Sequence, residues 1–249
     1  MENSIKYPRT HHLPWSDTIG PDGDHVLRDL NCFRGHEVVV TEKLDGENTT
    51  LYRTHLHARS LDGRHHPSRG WIKAFHARMC HLIPTGWRIC GESLYALHSI
   101  HYQALPSYYV VFAVHDGERF LSWDDTERFC AALSSPLETD PGTIDPASTD
   151  PTQIGSNQIT LPSDDRLLTT APLLYRGLWN EKKIKACFSG RSAYGGAQEG
   201  YVVRRSDAFQ EADFQSSVAK YVRPNHVQTD QHWMLKPVVK NLLVSRVHV

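Results

Sequence analysis

Glu37 to Thr41, E-V-V-V-T, is a β-branched run that passes through Glu42 into Lys43-Leu44-Asp45-Gly46, and a second strand-like run follows at Thr49 to Arg53. β-Branched side chains suit a pleated surface and glycine permits an abrupt change of direction, so the pattern predicts strand, tight turn, strand. Comparable runs recur at His55 to Ser60, Trp87 to Leu94, Tyr108 to His115, Glu199 to Arg205 and Ser216 to Val222. Helical periodicity is scarcer. Trp71, Ile72, Phe75, Met79, Leu82 and Ile83 fall at spacings near one helical turn, which predicts an amphipathic helix over Trp71 to Ile83; Asp124 to Leu133 and Glu181 to Phe188 read as two more. Strands with intervening helices and no regular βαβ alternation predict an α+β fold built on antiparallel β-sheets with flanking helices.

From Ser134 to Asp165 the composition turns to Pro, Ser, Thr, Asp and Gly. That mixture buries too little apolar surface to offset its ordering entropy, and it predicts a long flexible surface loop. Cys32, Cys80, Cys90, Cys130 and Cys187 form no C-x-x-C pair, which suits free thiols in a reducing compartment. No stretch approaches the roughly 20 apolar residues that cross a bilayer, and Met1 to Thr10 is polar, so a soluble, cytoplasmic protein is expected. A formal net charge of -1 conceals segregation: Arg59 to Arg88 holds six basic residues against one acid, whereas Asp116 to Asp165 is strongly acidic. A basic surface able to meet a polyanion is therefore compatible with a neutral total. The 16 histidines, among them His11-His12, His55-x-His57 and His65-His66, lack cysteine or acidic partners at ligand spacing and are read as surface or core residues.

Thr41-Glu42-Lys43-Leu44-Asp45-Gly46-Glu47-Asn48 carries the chemistry. A lysine where a strand meets a glycine turn stands at the rim of a sheet. As a nucleophile its amine must be neutral, so a pKa near ~10.4 must be tuned down by burial or neighbouring cations. Alone, K-x-D-G describes a solvated turn equally well. Here it is followed in order by Arg59-Ser60, Gly91-Glu92-Ser93, Tyr109 to Val114, Glu199-Gly200-Tyr201-Val202-Val203-Arg204 and Val218-Ala219-Lys220-Tyr221-Val222-Arg223. This order resembles the motifs of the covalent lysyl-NMP nucleotidyltransferase superfamily, which comprises ATP-dependent DNA ligases, RNA ligases and mRNA capping enzymes. Over Lys43 to Arg223 it is most similar to the RNA ligase 2 type.

The resemblance implies an ATP-grasp-like ligase catalytic domain that uses ATP and Mg²⁺ (or Mn²⁺). Lys43 would be the nucleophile that forms lysyl-AMP, and Lys220 would contact the α-phosphate. Thr41, Glu42, Arg59, Glu92, Phe112, Glu199 and Arg223 would complete the nucleotide site. Arg59 offers a planar fork of donors to phosphate or ribose, and Glu92 accepts from ribose hydroxyls. Phe112 offers a rigid face to adenine, and Glu199 supplies a hard oxygen to the metal. Without the resemblance Phe112 reads as core, and Glu92 and Glu199 as solvated carboxylates. One departure stands out: the superfamily's last motif has two basic residues one position apart, whereas Lys220 and Arg223 are three apart and cannot share a strand face. Either Lys220 acts with a lysine from elsewhere, or a bend before Pro224 turns Arg223 inward.

DNA ligases and capping enzymes carry an oligonucleotide-binding fold after the last motif, and too little sequence follows Arg223 for such a barrel. The expectation is a single nucleotidyltransferase domain over residues 1–249 without a C-terminal barrel of that kind. The implied activity joins 5′-phosphate and 3′-hydroxyl RNA ends, in a nicked duplex or broken RNA, through lysyl-AMP and an adenylylated end. An end-healing kinase or phosphatase is an expected partner. A guanylyltransferase, a DNA-ligase-like enzyme and a non-catalytic nucleotide- or RNA-end-binding module stay open as alternatives.

Overall fold

The β-branched run does become a strand, but the glycine turn after it leads into a different sheet and does not close a hairpin. A computed structural model describes residues 3–16, 25–61, 66–134, 168–224 and 237–244. In chain order its strands are β1 (His11–His12), β2 (Glu37–Lys43), β3 (Glu47–Leu51), β4 (Leu56–Ala58), β5 (Arg88–Ser93), β6 (Tyr109–His115), β7 (Arg119–Phe120), β8 (Thr169–Thr170), β9 (Leu173–Leu178), β10 (Gly200–Arg205), β11 (Phe209–Gln210) and β12 (Val218–Val222). The helices are α1 (Gly70–Met79), α2 (Trp123–Ser134), α3 (Glu181–Lys185) and α4 (Phe214–Ser217). One sheet runs β1-β12-β10-β2-β9, antiparallel except where β1 joins β12. The other runs β11-β7-β6-β5-β3-β4, with β8 added parallel to β6. Lys43-Leu44-Asp45-Gly46 is therefore the crossover between the sheets.

Each sheet buries a different outer face. α1 turns Ile72, Phe75 and Met79 onto the β3–β5–β6 sheet, where they pack with Leu51, Ile89, Tyr109, Val111 and Val114, and His76 on the same face is buried too. The buried positions fall one helical turn apart, and each fully buried apolar side chain contributes about 1.5–3 kcal/mol. The helix is shorter than its periodicity predicts, because Cys80–Leu82 tightens into a 3₁₀ turn. α3 places Ile184 on the outer face of the β2–β10 sheet with Val38, Val40, Tyr201 and Val203. Between the sheets lies a third cluster, in which Cys90, Ala113, Phe120 and Phe209 of one sheet meet Val218 of the other, with Tyr7, Phe112 and Val202 half-buried at its margin.

Ser216 was expected at the start of the last strand but lies in α4, whose short turn precedes β12. Of the loop expected from Ser134 to Asp165, Ser134 closes α2 and the rest lies outside the described residues. His65 and the 225–236 segment lie outside them too.

Candidate active site between the two sheets

Register brings the motif residues together. Lys43 pairs with Gly200, Thr41 with Val202, and Val202 with Lys220. Paired positions share a face, as do alternate positions along one strand, so Lys43, Thr41, Val202 and Lys220 face the same side of three adjacent strands. Lys43 Nζ is 2.5 Å from Glu199 Oε1, with the lysine side chain 23% exposed and the glutamate 1%. On the opposing sheet Glu92 pairs with Asn48, and its Oε1 accepts from Gly46 N at 3.1 Å. A Cβ on Gly46 would lie 2.5 Å from the Ser93 carbonyl oxygen, and its φ is not in the left-handed region. Close approach of β5, and not turn geometry, is what requires glycine there.

The electrostatics reverse one expectation. Burial works to lower the Lys43 pKa, but the carboxylates of Glu199, Glu92 and Asp45 outweigh it, and the net direction is up. These carboxylates favour the ammonium form of the amine. Burial pushes Glu92 up to about 8 against the pull of Lys43, with Glu199 and Asp45 adding to the rise.

The other expected residues divide. Phe112 is half-buried, with the Tyr7 ring edge-on at 4.9 Å. Lys220 is buried on the cleft face. Arg223 lies past the end of β12, half-buried, and its N–H donates to the Glu199 carbonyl at 3.0 Å. Arg59 is exposed just beyond β4, its N–H donating to the Asn48 carbonyl at 2.9 Å. Alternation along β2 turns Glu42 to the face opposite Lys43, where its Oε2 accepts from Ala193 N at 2.9 Å; burial raises its pKa.

The basic surface expected from Arg59 to Arg88 is smaller than the sequence implies. Arg69 is buried in an ion pair with Glu47, and Arg88, also buried, pairs with Glu211 at 2.7 Å. Arg59 and Lys73 remain exposed, and Arg64 lies outside the described residues. Lys182, Lys183 and Lys185 sit on α3, on the side of its sheet away from Lys43.

Sequence reasoning assigned no role to Asp45, although it stands inside the K-x-D-G run. Its carboxylate is buried and accepts three hydrogen bonds from Ser99 and Ile100. The only local signal was the aspartate itself, since its partners lie more than 50 residues away. Among the described residues no group of three or more His, Cys, Asp or Glu side chains could hold a metal ion.

A profile of the RNA ligase family matches residues 36–222. The chain belongs to the RNA ligase family. Its fold matches that of an RNA ligase from Naegleria gruberi solved with pyrophosphate, at a TM-score of 0.50 and 16% identity, covering 89% of this chain and 61% of that one. A variant of that RNA ligase solved with ATP and Mn gives a TM-score of 0.49 at 16% identity, covering 78% of this chain and 52% of that one. The chain thus spans about half to three-fifths of the length of these solved RNA ligases. No curated protein matches it.

Proposed function

We propose that the described sheets form one nucleotidyltransferase unit that seals RNA ends at the expense of ATP: Lys43 takes AMP from ATP and expels pyrophosphate, AMP passes to a 5′-phosphate end and frees Lys43, and a 3′-hydroxyl then attacks that phosphate and displaces AMP. The observation that carries this reading is the convergence of Lys43, Glu199, Glu92 and Lys220 between the two sheets of an RNA ligase family fold. All three steps are displacements at phosphorus, in which protein groups chiefly position and neutralise charge.

Each residue has a task in the cleft. Lys220 faces the Lys43 side of the sheet and neutralises the α-phosphate as its charge grows. Glu92 accepts from the ribose hydroxyls, while Phe112 and Val202, on opposing sheets, bracket the base. Arg59 and Arg223 lie at the rim, where they meet phosphate. A divalent cation, when bound, supplies charge neutralisation at the triphosphate. Glu199 would hold that cation, and Asn48, whose Oδ1 is buried without a partner among the described residues, would add a further oxygen near Glu92. One or two protein oxygens suit Mg²⁺, which keeps its waters and takes phosphate oxygens. A Glu199 carboxylate engaged in that way would weaken the ion pair that favours the Lys43 ammonium over the neutral amine that attack needs.

RNA strands bearing a 5′-phosphate and a 3′-hydroxyl are the inferred substrates, so kinase or phosphatase chemistry must prepare ends that lack them. The five free cysteines suit a reducing compartment such as the cytoplasm, and no helix of the described residues is long and apolar enough to cross a membrane.

Incubation with labelled ATP and Mg²⁺, followed by a denaturing gel, should leave label on the protein, and Lys43→Ala should abolish it. Label retained by that variant, or none on the wild type, sinks the assignment. A GTP arm tests guanylyl transfer, and nicked duplexes with RNA or DNA on each side of the break report sugar preference.

A further inference from the structure

The crossover that carries Lys43 is held from outside the nucleotide cleft. Asp45 Oδ2 accepts from Ser99 N at 2.8 Å, Ser99 Oγ at 2.7 Å and Ile100 N at 2.9 Å. The Asp45 N–H donates to the Tyr102 hydroxyl at 2.8 Å. Tyr102 is fully buried, and the loop that contains it is gripped by the segment 237–244. Within that segment Asn241 has no exposed surface and uses both ends of its amide. Its Oδ1 accepts from Tyr102 N at 2.9 Å, and its Nδ2 donates to the carbonyls of Leu94 at 2.8 Å and Ala96 at 3.4 Å. Backbone bonds extend the grip: Leu97 N to Val239 O, Asn241 N to Tyr95 O, Leu242 N to Tyr102 O and Leu105 N to Leu242 O.

We infer that Tyr102 and Asn241 are positioning residues for the nucleophile, with the segment 237–244 acting as a strap whose grip passes through Tyr102 to the Asp45 backbone and so to Lys43. Lys43 ends a strand and Asp45 lies two residues on, in the crossover. The ladder fixes Lys43 only from its N-terminal side, and the Asp45 contacts fix the other. A buried amide with three partners has no alternative arrangement of similar energy, so the strap has one setting. In-line attack on phosphorus tolerates little misplacement: a shift of about 1 Å can cost on the order of 100-fold in rate.

The inference rests on reading Lys43 as the AMP acceptor, and the test separates the two. Tyr102→Phe and Ser99→Ala each remove one bond to Asp45 without opening space, and Asn241→Ala removes the strap's central contact. Three quantities are measured for each: the rate of lysyl-AMP formation at saturating ATP, the KM for ATP, and sealing of a strand supplied with its 5′ end already adenylylated, which bypasses Lys43 as nucleophile. Tyr102→Phe and Ser99→Ala should slow lysyl-AMP formation about tenfold, with KM and pre-adenylylated sealing within about twofold of wild type. Asn241→Ala should slow it further. Unchanged lysyl-AMP formation in the two conservative variants overturns the inference, as does a parallel loss of both activities, which marks a general fold defect. If the wild type forms no lysyl-AMP but seals pre-adenylylated ends, the Lys43 assignment itself has failed.

Discussion

Glu92 brings a carboxyl into the space between the sheets, where burial outweighs the attraction of the Lys43 ammonium and pushes its pKa up to about 8. Its ordinary value is 4.5, so between those limits the folded protein holds a proton that the unfolded chain has released. The contribution of this group to stability is therefore most favourable below pH 4.5. It declines as pH rises through the window and stays at its least favourable above about pH 8. Glu92→Gln keeps the shape and removes the ionisation, so it should match the wild type near pH 5 and exceed it by about 1–3 kcal/mol at pH 9, while its KM for ATP rises through loss of the ribose acceptor. Urea unfolding at the two pH values checks the first half, and an equal stability difference at both would show that ionisation of Glu92 is not the source. Lys43 has the opposite character. Its cation is stabilised by the carboxylates of Glu199, Glu92 and Asp45, which oppose the neutral, nucleophilic form.

At the scale of strands, the site depends on how closely β10 approaches its neighbours. A Cβ on Gly200 would lie 1.9 Å from the Tyr221 carbonyl oxygen, a backbone atom that cannot yield without parting β10 from β12. Gly200 is also opposite Lys43, and Glu199 precedes it. Gly200→Ala should cost about 3 kcal/mol and abolish lysyl-AMP formation, whereas Gly70→Ala, at the start of α1 with φ -60° and nothing within 4 Å, should stabilise by about 0.4–1 kcal/mol. Thermal melts of both proteins test the contrast; a neutral Gly200→Ala would mean that the close approach does not govern the site. The glycine at 200 could be seen in the sequence, but its reason could not, because the atom it avoids belongs to Tyr221. The same limit explains what was legible. β2, β3, β6, β10 and most of β12 carry their own β-branched residues. β9 has Leu173 and Leu178 exposed and a glycine within it, and it is a strand because β2 offers a ladder. The two-residue strands β1, β7, β8 and β11 likewise exist only through their partners. Lys43, Glu92, Glu199 and Lys220 were legible as an ordered motif, while the partners of Asp45 and the buried pairing of Arg69 and Arg88 come from distant segments.

For the molecule as a whole, the proposed nucleotide touches both sheets: Lys43, Thr41, Val202 and Lys220 on one, Glu92 and Phe112 on the other. A ligand that binds only where the sheets face each other stabilises the folded state by mass action, about 2.7 kcal/mol at 100 times its Kd. For a chain of this size each kcal/mol raises Tm by roughly 2–4 °C, so saturating ATP with Mg²⁺ should raise it by about 5–10 °C. ATP alone should do much less, because a triphosphate beside the Glu199 carboxylate meets like charge unless a cation intervenes. Lys43→Ala cannot capture AMP covalently, yet it keeps the remaining contacts and loses the Glu199 ion pair, so it should retain most of the cation-dependent shift. Lys220→Ala removes a phosphate partner and should lose much of it. Thermal melts of the three proteins with ATP, with and without Mg²⁺, give the comparison. A wild-type shift of equal size with and without the cation would count against the proposed metal role of Glu199.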